Sequence, residues 1–430
     1  MKVFMLGWEF PPFISGGLGT ACYGLTKAMD QLGMKVTFVL PRIVYNKDTT
    51  HVKLLAPDDQ TTLAFNFGAL KNVRFRTINS ALMPYLTPDV YRQRIEEALR
   101  QKQKIHGGNA SAANEIAGIM DYNGDMYAEV HRYAAIAAQL AANEDFDVVH
   151  AHDWMTYPAG IAVSRMSGKP LIVHVHSTEF DRSGENVNQM IYDIEQEGMH
   201  AAEKIIAVSH FTRSIIISRY GVSGDKVEVV HNAVERNGNW NWALSESGID
   251  RDEKIVLFLG RITMQKGPEY FLQAAKKVLD VMDNVKFVMA GSGDLMHRAV
   301  EIVAELGIGQ KVLFTGFLRG EDVQKIYQMA DLYVMPSVSE PFGIAPLEAL
   351  NNDVPVIISR QSGVSEVLRH ALKVDFWDID EIANKIIAVL KYPPLREMLA
   401  NYGNFEVRRL RWKDSAQRCA KIYEEALATV

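Results

Sequence analysis

Short runs of β-branched and aliphatic residues alternate along this chain with longer stretches of helical periodicity, and after one interruption the alternation begins afresh. Strand, helix and strand in succession have one common solution, a parallel sheet with helices packed on its faces. In the first half the predicted strands are Lys2 to Leu6, Val36 to Leu40, Val73 to Ile78, Asp147 to His150, Leu171 to His176, Lys204 to Val208 and Val227 to His231. The stretch from Ala233 to Glu253, with Asn237, Gly238, Asn239 and two tryptophans, breaks the pattern and reads as a linker. Strands resume at Ile255 to Leu259, Val285 to Met289, Val312 to Phe314, Leu332 to Met335 and Val354 to Ile358. The expected fold is α/β, with two doubly wound parallel-sheet domains over residues 1–234 and 254–404 joined by a hinge at 235–253. A terminal segment, 405–430, is amphipathic through Leu410, Trp412, Cys419, Ile422 and Leu427.

Composition narrows the function classes. With 48% hydrophobic and 23% charged residues among 430, there is apolar material for more than one core, and wholesale disorder is excluded. The net charge of -6 leaves no global positive field for a nucleic-acid backbone, so any anion must be gripped locally. Two cysteines, Cys22 and Cys419, are too few and too far apart for a disulfide framework or a cysteine zinc site. No apolar run approaches the roughly 20 residues that span a bilayer, and Val3 to Gly7 is too short for a signal-peptide core, so the expected compartment is the cytoplasm.

In doubly wound sheets ligands bind outside the carboxyl ends of the strands, so the residues that follow each strand are the candidates. After the first strand come Ser15, Gly16, Gly17, Leu18 and Gly19, opening a helix; later strands are followed by His152 and Asp153, by His174, His176, Ser177 and Thr178, by Ser209 and His210, and by Asn232 beside His231. In the second half the strand ends carry Gly260, Arg261, Lys266 and Gly267, then Gly291 to Asp294, then Ser337, Ser339 and Glu340. Arginine grips phosphate oxygens with two parallel donors and lysine adds a compact charge, so Arg261 with Lys266 suits a diphosphate. Gly16 and Gly17 would let backbone amides approach an anion at a helix N-terminus. Of His174 and His176, at most one is expected to reach the cleft, and structural roles are favoured. Asp153 either orients His152 or caps the helix that begins near Met155.

Two dinucleotide fingerprints fail: Gly17, Gly19, Cys22 and Gly291, Gly293, Met296 both lack the third glycine. The Asp-x-Asp pairs at Asp145 and Asp147, Asp250 and Asp252, and Asp378 and Asp380 lie before a strand, in the linker and at a helix start, so no metal site is predicted.

The most specific motif is Glu340, Pro341, Phe342, Gly343, Ile344, Ala345, Pro346, Leu347, Glu348, after Asp331 to Ser337. With Arg261 and Lys266 in a G-R-x-x-x-x-K-G pattern, the diglycine loop, the His152 to Trp154 triplet and the His231-Asn232 pair, it resembles the retaining glycosyltransferases of the GT-B fold. The family in question holds the glycogen and starch synthases and the sucrose and mannosyl transferases, and the resemblance spans essentially the whole chain. Asp121 to Asp125, His131 to Tyr133, the HDW triplet and Trp8 to Pro11 resemble the glycogen and starch synthases in particular, whereas Ser15 stands where the bacterial enzymes usually carry lysine.

The resemblance implies two Rossmann-like domains with an interdomain cleft, the first on the acceptor side, the second holding the nucleotide sugar, and residues 405–430 crossing back to the first. It implies that Arg261 and Lys266 hold the donor diphosphate, with Gly16, Gly17 and Gly291 also on the donor. Glu340 would contact the donor sugar with the amides of Phe342, Gly343 and Ile344, and Glu348 the ribose. His152 would sit beside the transferred sugar, and Asp153, His176, Ser209 and Asn232 complete the candidate set. The reaction implied is metal-independent transfer of a hexose, glucose first, from ADP- or UDP-glucose to a saccharide such as an α-glucan, with retention, by the favoured same-face attack or by a covalent route, and with no cofactor. Alternatives are a smaller saccharide or lipid acceptor, a silent nucleotide-sugar-binding protein, and an epimerase or phosphorylase. A basic amphipathic stretch, Tyr91 to Ile105, could touch anionic lipid, although a solvated helix is favoured there and membrane contact is not expected.

Overall fold

A computed structural model of the chain describes residues 1–10, 16–42, 70–79, 126–235 and 253–429. Ser15, the Tyr91 to Ile105 segment, Asp121 to Asp125 and residues 236–252 of the linker lie outside the described residues.

Strands β1 (Lys2–Leu6), β2 (Lys35–Arg42), β3 (Val73–Asn79), β4 (Val148–His152), β5 (Leu171–Val175), β6 (Lys204–Ala207) and β7 (Val227–Val229) form a seven-stranded sheet in the order β3-β2-β1-β4-β5-β6-β7. Helices α1 (Gly17–Gln31), α2 (Met126–Ala141), α3 (Tyr157–Ser167), α4 (Glu179–Ser183), α5 (Gln189–Ala201) and α6 (His210–Tyr220) fall between them. The second sheet has six strands in the order β10-β9-β8-β11-β12-β13: β8 (Lys254–Leu259), β9 (Val285–Ala290), β10 (Val312–Gly316), β11 (Leu332–Met335), β12 (Val356–Ser359) and β13 (Leu372–Val374). Its helices are α7 (Pro268–Leu279), α8 (Met296–Glu305), α9 (Glu321–Met329), α10 (Ala345–Asn351), α11 (Ile379–Lys391) and α12 (Pro393–Val407), and α13 (Trp412–Thr429) ends the chain. In each sheet the strand order reverses at the first strand, β1 or β8, which puts Gly7 to Phe10 and Gly260 to Lys266 at the two switch points.

The second sheet shows why these runs become parallel strands. Along β8, Val256 and Phe258 pack with Phe271, Phe287 and Val334 on one face, while Ile255 and Leu257 pack with Val288, Tyr333 and Met335 on the other. Both faces are covered by helices, so near-continuous apolar runs are what the geometry demands.

Strand bounds depart from expectation at functional points. β4 runs on to His152, so His152 is the last strand residue and not the first loop residue; β5 stops at Val175 and β7 at Val229. β13, Leu-Lys-Val, has no run of β-branched residues to announce it and was not among the expected strands. The expected single amphipathic segment 405–430 is the end of α12 and then α13, broken at Arg408 to Arg411. In α13 the buried face includes Trp412, Ala416, Cys419, Ile422, Tyr423 and Ala426, at helical spacing, whereas Leu427 is exposed.

The chain divides into two compact units, one of residues 1–175, 193–205 and 419–430, the other of 176–192 and 206–418. The stretches 176–192 and 206–235 fall in the second unit, not with residues 1–175, because Asp181, Ser209, His210 and His231 bond to the loops that follow β11 and β12.

Candidate functional site

In the second unit the chain leaves β8 at Gly260, passes Arg261 and makes a single 3-10 turn, Met264–Lys266, before Gly267 opens α7. Gly267 has φ +66°, and a Cβ there would overlap the carbonyl oxygen of Pro336. Glycine is therefore required twice, once for the dihedral and once for the approach. The Val338 amide donates to Gln265 O at 2.9 Å, so this turn lies backbone against backbone on the exit of β11. That contact delivers the Lys266 ammonium onto the Glu340 carboxylate as an ion pair, with Ser337 Oγ 3.4 Å from the same Glu340 Oε2. Glu340 is 6% exposed, and a carboxylate so buried needs a cation. Arg261 Nη2 donates to Gln265 Oε1 at 3.0 Å. Arg261, Lys266 and Glu340 are thus brought to one group of loops.

The segment after Glu340 is held from both ends. Its Glu340 amide donates to Gln361 O and its carbonyl accepts from Gly363, both at 2.9 Å, while Phe342 O accepts from Val364 at 2.7 Å. Ser209 Oγ and Thr212 Oγ1 donate to Pro341 O at 2.6 and 3.2 Å. Ser209 was a candidate for substrate contact; it is instead fully buried, accepts from the Thr212 amide at the start of α6, and anchors this loop. Among the described residues the amides of Phe342, Gly343 and Ile344 donate to no carbonyl. Phe342 itself is buried, its ring 5.8 Å from that of His231. Glu348, in the first turn of α10, accepts from Tyr327 Oη at 3.1 Å, and burial pushes its carboxyl above the usual range.

Gly291 packs closely on the neighbouring loop. A Cβ on it would overlap the Gly260 carbonyl oxygen, and the two loops are knitted by Gly260 N to Ala290 O, Ile262 N to Ser292 O and Leu295 N to Ile262 O, each 3.0 Å. Gly291 was expected on the donor; the structure spends its missing side chain on packing the loop that carries Arg261.

In the first unit, Gly16 caps α1, and its amide donates to the buried carboxylate of Glu9. The amide expected to face phosphate is given to a side chain, while Gly17 is exposed, with nothing within 4 Å of where a Cβ would stand. His152 is fully buried, its ring stacked 4.4 Å from His150, 5.2 Å from His174 and 6.2 Å from Phe38. Burial pushes its imidazole down to about 3, so it is neutral at physiological pH. Asp153 has φ +57° and ψ 171°, a conformation rare for a residue with a side chain, and its amide donates to His174 O at 3.0 Å. It makes no side-chain cap of the turn Trp154–Thr156, contrary to one expectation. His174 is buried on β5, His176 lies beyond the strand end and is half-buried, and Asn232 is buried in the second unit.

Sequence reasoning passed over His150, Tyr423, Asp181 and Glu366. Glu366 was within reach of the strand-end rule, since it closes the loop after β12. Its carboxylate accepts from the amides of His210 and Phe211 at 2.9 and 2.6 Å and lies 3.2 Å from His231 Nε2; these hydrogen bonds outweigh its partial burial and hold it below the usual carboxylate range. Among the described residues two groups bring metal-ligating atoms within 4.8 Å of one another: His150, His152, His174, and His210, His231, Glu366. In the first, the rings of His150 and His152 lie 29° from parallel, so their in-plane lone pairs do not converge. In the second, Glu366 sits at the positive end of α6, a poor place for a cation.

Residues 243–404 match the family described as glycosyl transferases group 1, and residues 117–237 match glycosyltransferase family 4. An uncharacterized glycosyltransferase of Methanocaldococcus jannaschii is 29% identical over 99% of both chains. D-inositol 3-phosphate glycosyltransferase 1 of Catenulispora acidiphila is 28% identical over 68% of this chain and 75% of its own. Among solved structures, sucrose-phosphate synthase from Thermosynechococcus elongatus superposes with a TM-score of 0.73 at 18% identity, covering 100% of both chains. Anabaena HepE in complex with UDP and glucose gives 0.68 at 18%, again over 100% of both.

Proposed function

We propose that this chain is a group 1 glycosyltransferase of GT-B fold that moves a hexose, glucose first, from a nucleoside diphosphate sugar to a saccharide hydroxyl with retention of configuration and without a metal. The observation that carries this reading is the Lys266–Glu340 ion pair with Arg261 on the adjoining loop. Two cations on adjoining loops suit a leaving diphosphate, whose charge grows as the glycosidic bond breaks. Before the donor arrives, Lys266 compensates the buried Glu340. Once Lys266 turns to phosphate, the carboxylate is released to accept hydrogen bonds from the sugar hydroxyls, so donor binding and sugar recognition are coupled through one lysine. The undonated amides of Phe342, Gly343 and Ile344 are suited to the same ligand, Glu348 to the ribose, and His152, fully buried at the carboxyl end of β4, to the transferred sugar once its cover is displaced. The bound UDP and glucose of HepE support UDP-glucose as the first donor to try, with ADP-glucose second. A glucan remains the first acceptor, and the C. acidiphila relative adds D-inositol 3-phosphate.

The test is release of nucleoside diphosphate from ADP-, UDP- and GDP-hexoses, with and without glucan or D-inositol 3-phosphate, in the presence of EDTA, with the product anomer read by NMR. Arg261→Ala and Glu340→Ala should each lower kcat/KM by about 10²-fold or more. Unimpaired variants would sink the assignment, and donor binding with no release from any sugar would mark a binding protein instead.

A further inference from the structure

A chain of buried polar contacts runs from the last helix to the histidines of β4 and β5. Tyr423 Oη lies 2.5 Å from His150 Nδ1, and His150 Nε2 lies 3.2 Å from His174 Nδ1. His150 and His174 in turn form the wall on which His152 stacks, at 4.4 and 5.2 Å between ring centroids. All four residues belong to the first unit, and none is more than 2% exposed.

The direction of these bonds follows from counting protons. A tyrosine hydroxyl has one proton to give, and burying it without an acceptor costs on the order of 1–3 kcal/mol. Among the described residues the polar contact shown for the Tyr423 hydroxyl is His150 Nδ1, so the hydroxyl donates there. Neutral imidazole carries one N-H, so with Nδ1 accepting, His150 holds its proton on Nε2 and donates it to His174 Nδ1. His174 must then carry its own proton on Nε2. One hydroxyl on α13 therefore fixes two tautomers in sequence. Burial reinforces the arrangement by keeping the phenol far from ionisation and His152 uncharged.

We infer that Tyr423 is a positioning residue for sugar transfer: by fixing the tautomers of His150 and His174 it sets the ring plane of the stacked His152. The inference rests on the proposed transferase reading only through the role given to His152. A ring plane held by two oriented neighbours cannot swing out of line with a sugar hydroxyl, and small misorientations of such groups are costly in rate.

The test joins a spectroscopic arm to a kinetic one on the full chain. Long-range 1H–15N spectra of the imidazole rings, assigned through loss of the His150 signals in His150→Gln, should show His150 and His174 protonated on Nε2. A proton on Nδ1 of His150 would overturn the wiring, whatever the enzyme does. In Tyr423→Phe, His174 should become a mixture of tautomers, and kcat should fall about tenfold with the donor KM unchanged. Glutamine can accept from Tyr423 and donate to His174, so His150→Gln should keep the His174 tautomer and most of kcat, whereas His150→Phe should lose both. If Tyr423→Phe keeps the parental tautomer and full kcat, or if glutamine and phenylalanine at 150 behave alike, the inference is wrong. If the parent chain transfers no sugar, the function reading falls while the spectra still decide the wiring.

Discussion

His152 carries a cost that only an intact fold can impose. Its imidazole, ordinarily near 6.5, is held at about 3 by burial, so below 6.5 the unfolded chain takes up a proton that the native chain refuses. The depressed value means that this group adds nothing to the pH dependence above 6.5, and that native stability falls as the pH drops from 6.5 toward 3, by about 1.4 kcal/mol per unit. In urea titrations at pH 7.5 and 5.0, His152→Gln should show a markedly smaller loss than the parent; equal losses would contradict the burial. The residue type and its place near a strand end were legible in the sequence, because polar groups at carboxyl ends of strands stand out. Its burial was not legible. A strand that runs on to include its last polar residue differs by a residue or two from one that stops before it, and local periodicity does not resolve that difference.

Elements owe their placement to partners distant in the chain. The turn Met264–Lys266 is aimed by the exit of β11, through Gly267 against Pro336 and Val338 against Gln265. The glycine was readable as part of a motif, but its reason lies in a backbone contact that no local pattern announces. Gly267→Ala combines a left-handed dihedral with an overlap and should cost about 2–4 kcal/mol. It should also raise the donor KM by displacing Lys266. Denaturant midpoints and donor titrations check both, and a parental midpoint would refute the contact. The same limit explains Ser209 and Gly291, both found by position at strand ends and both assigned to ligand. The structure gives one to the Pro341 carbonyl and the other to Gly260. The two sheets, in contrast, were legible almost strand by strand, since parallel strands covered on both faces need long apolar runs; among the described strands only β13, which lacks a β-branched run, left no trace.

Across the whole molecule the division of residues is unequal in a useful way. Both cysteines, Cys22 and Cys419, are buried in the first unit, and burial pushes the Cys419 thiol up to about 12 and the Cys22 thiol well above its usual value, with the charges of Glu9 and Asp153 adding to the latter. A thiol reagent should label the native chain very slowly, and labelling under rising denaturant should follow the opening of the first unit alone. Rapid labelling of Cys419 in the native chain would show that α13 does not stay packed. The acidic net charge implies that any anion site is local, and Arg261 with Lys266 is the local pair proposed for that task. Which stretches belong to which unit was beyond the sequence, because membership is set by side chains such as Asp181, whose carboxylate takes the Ser339 hydroxyl at 2.5 Å.

Residues 419–430 lie in the unit that begins at Met1, on the far side of the second unit in sequence. On a ribosome the second unit has all its residues once Arg418 has emerged, while the first still lacks the helix face that carries Tyr423. The unit that holds residues 1–175 is completed after the second, and until residues 419–430 are free the histidine stack has no hydroxyl to orient it.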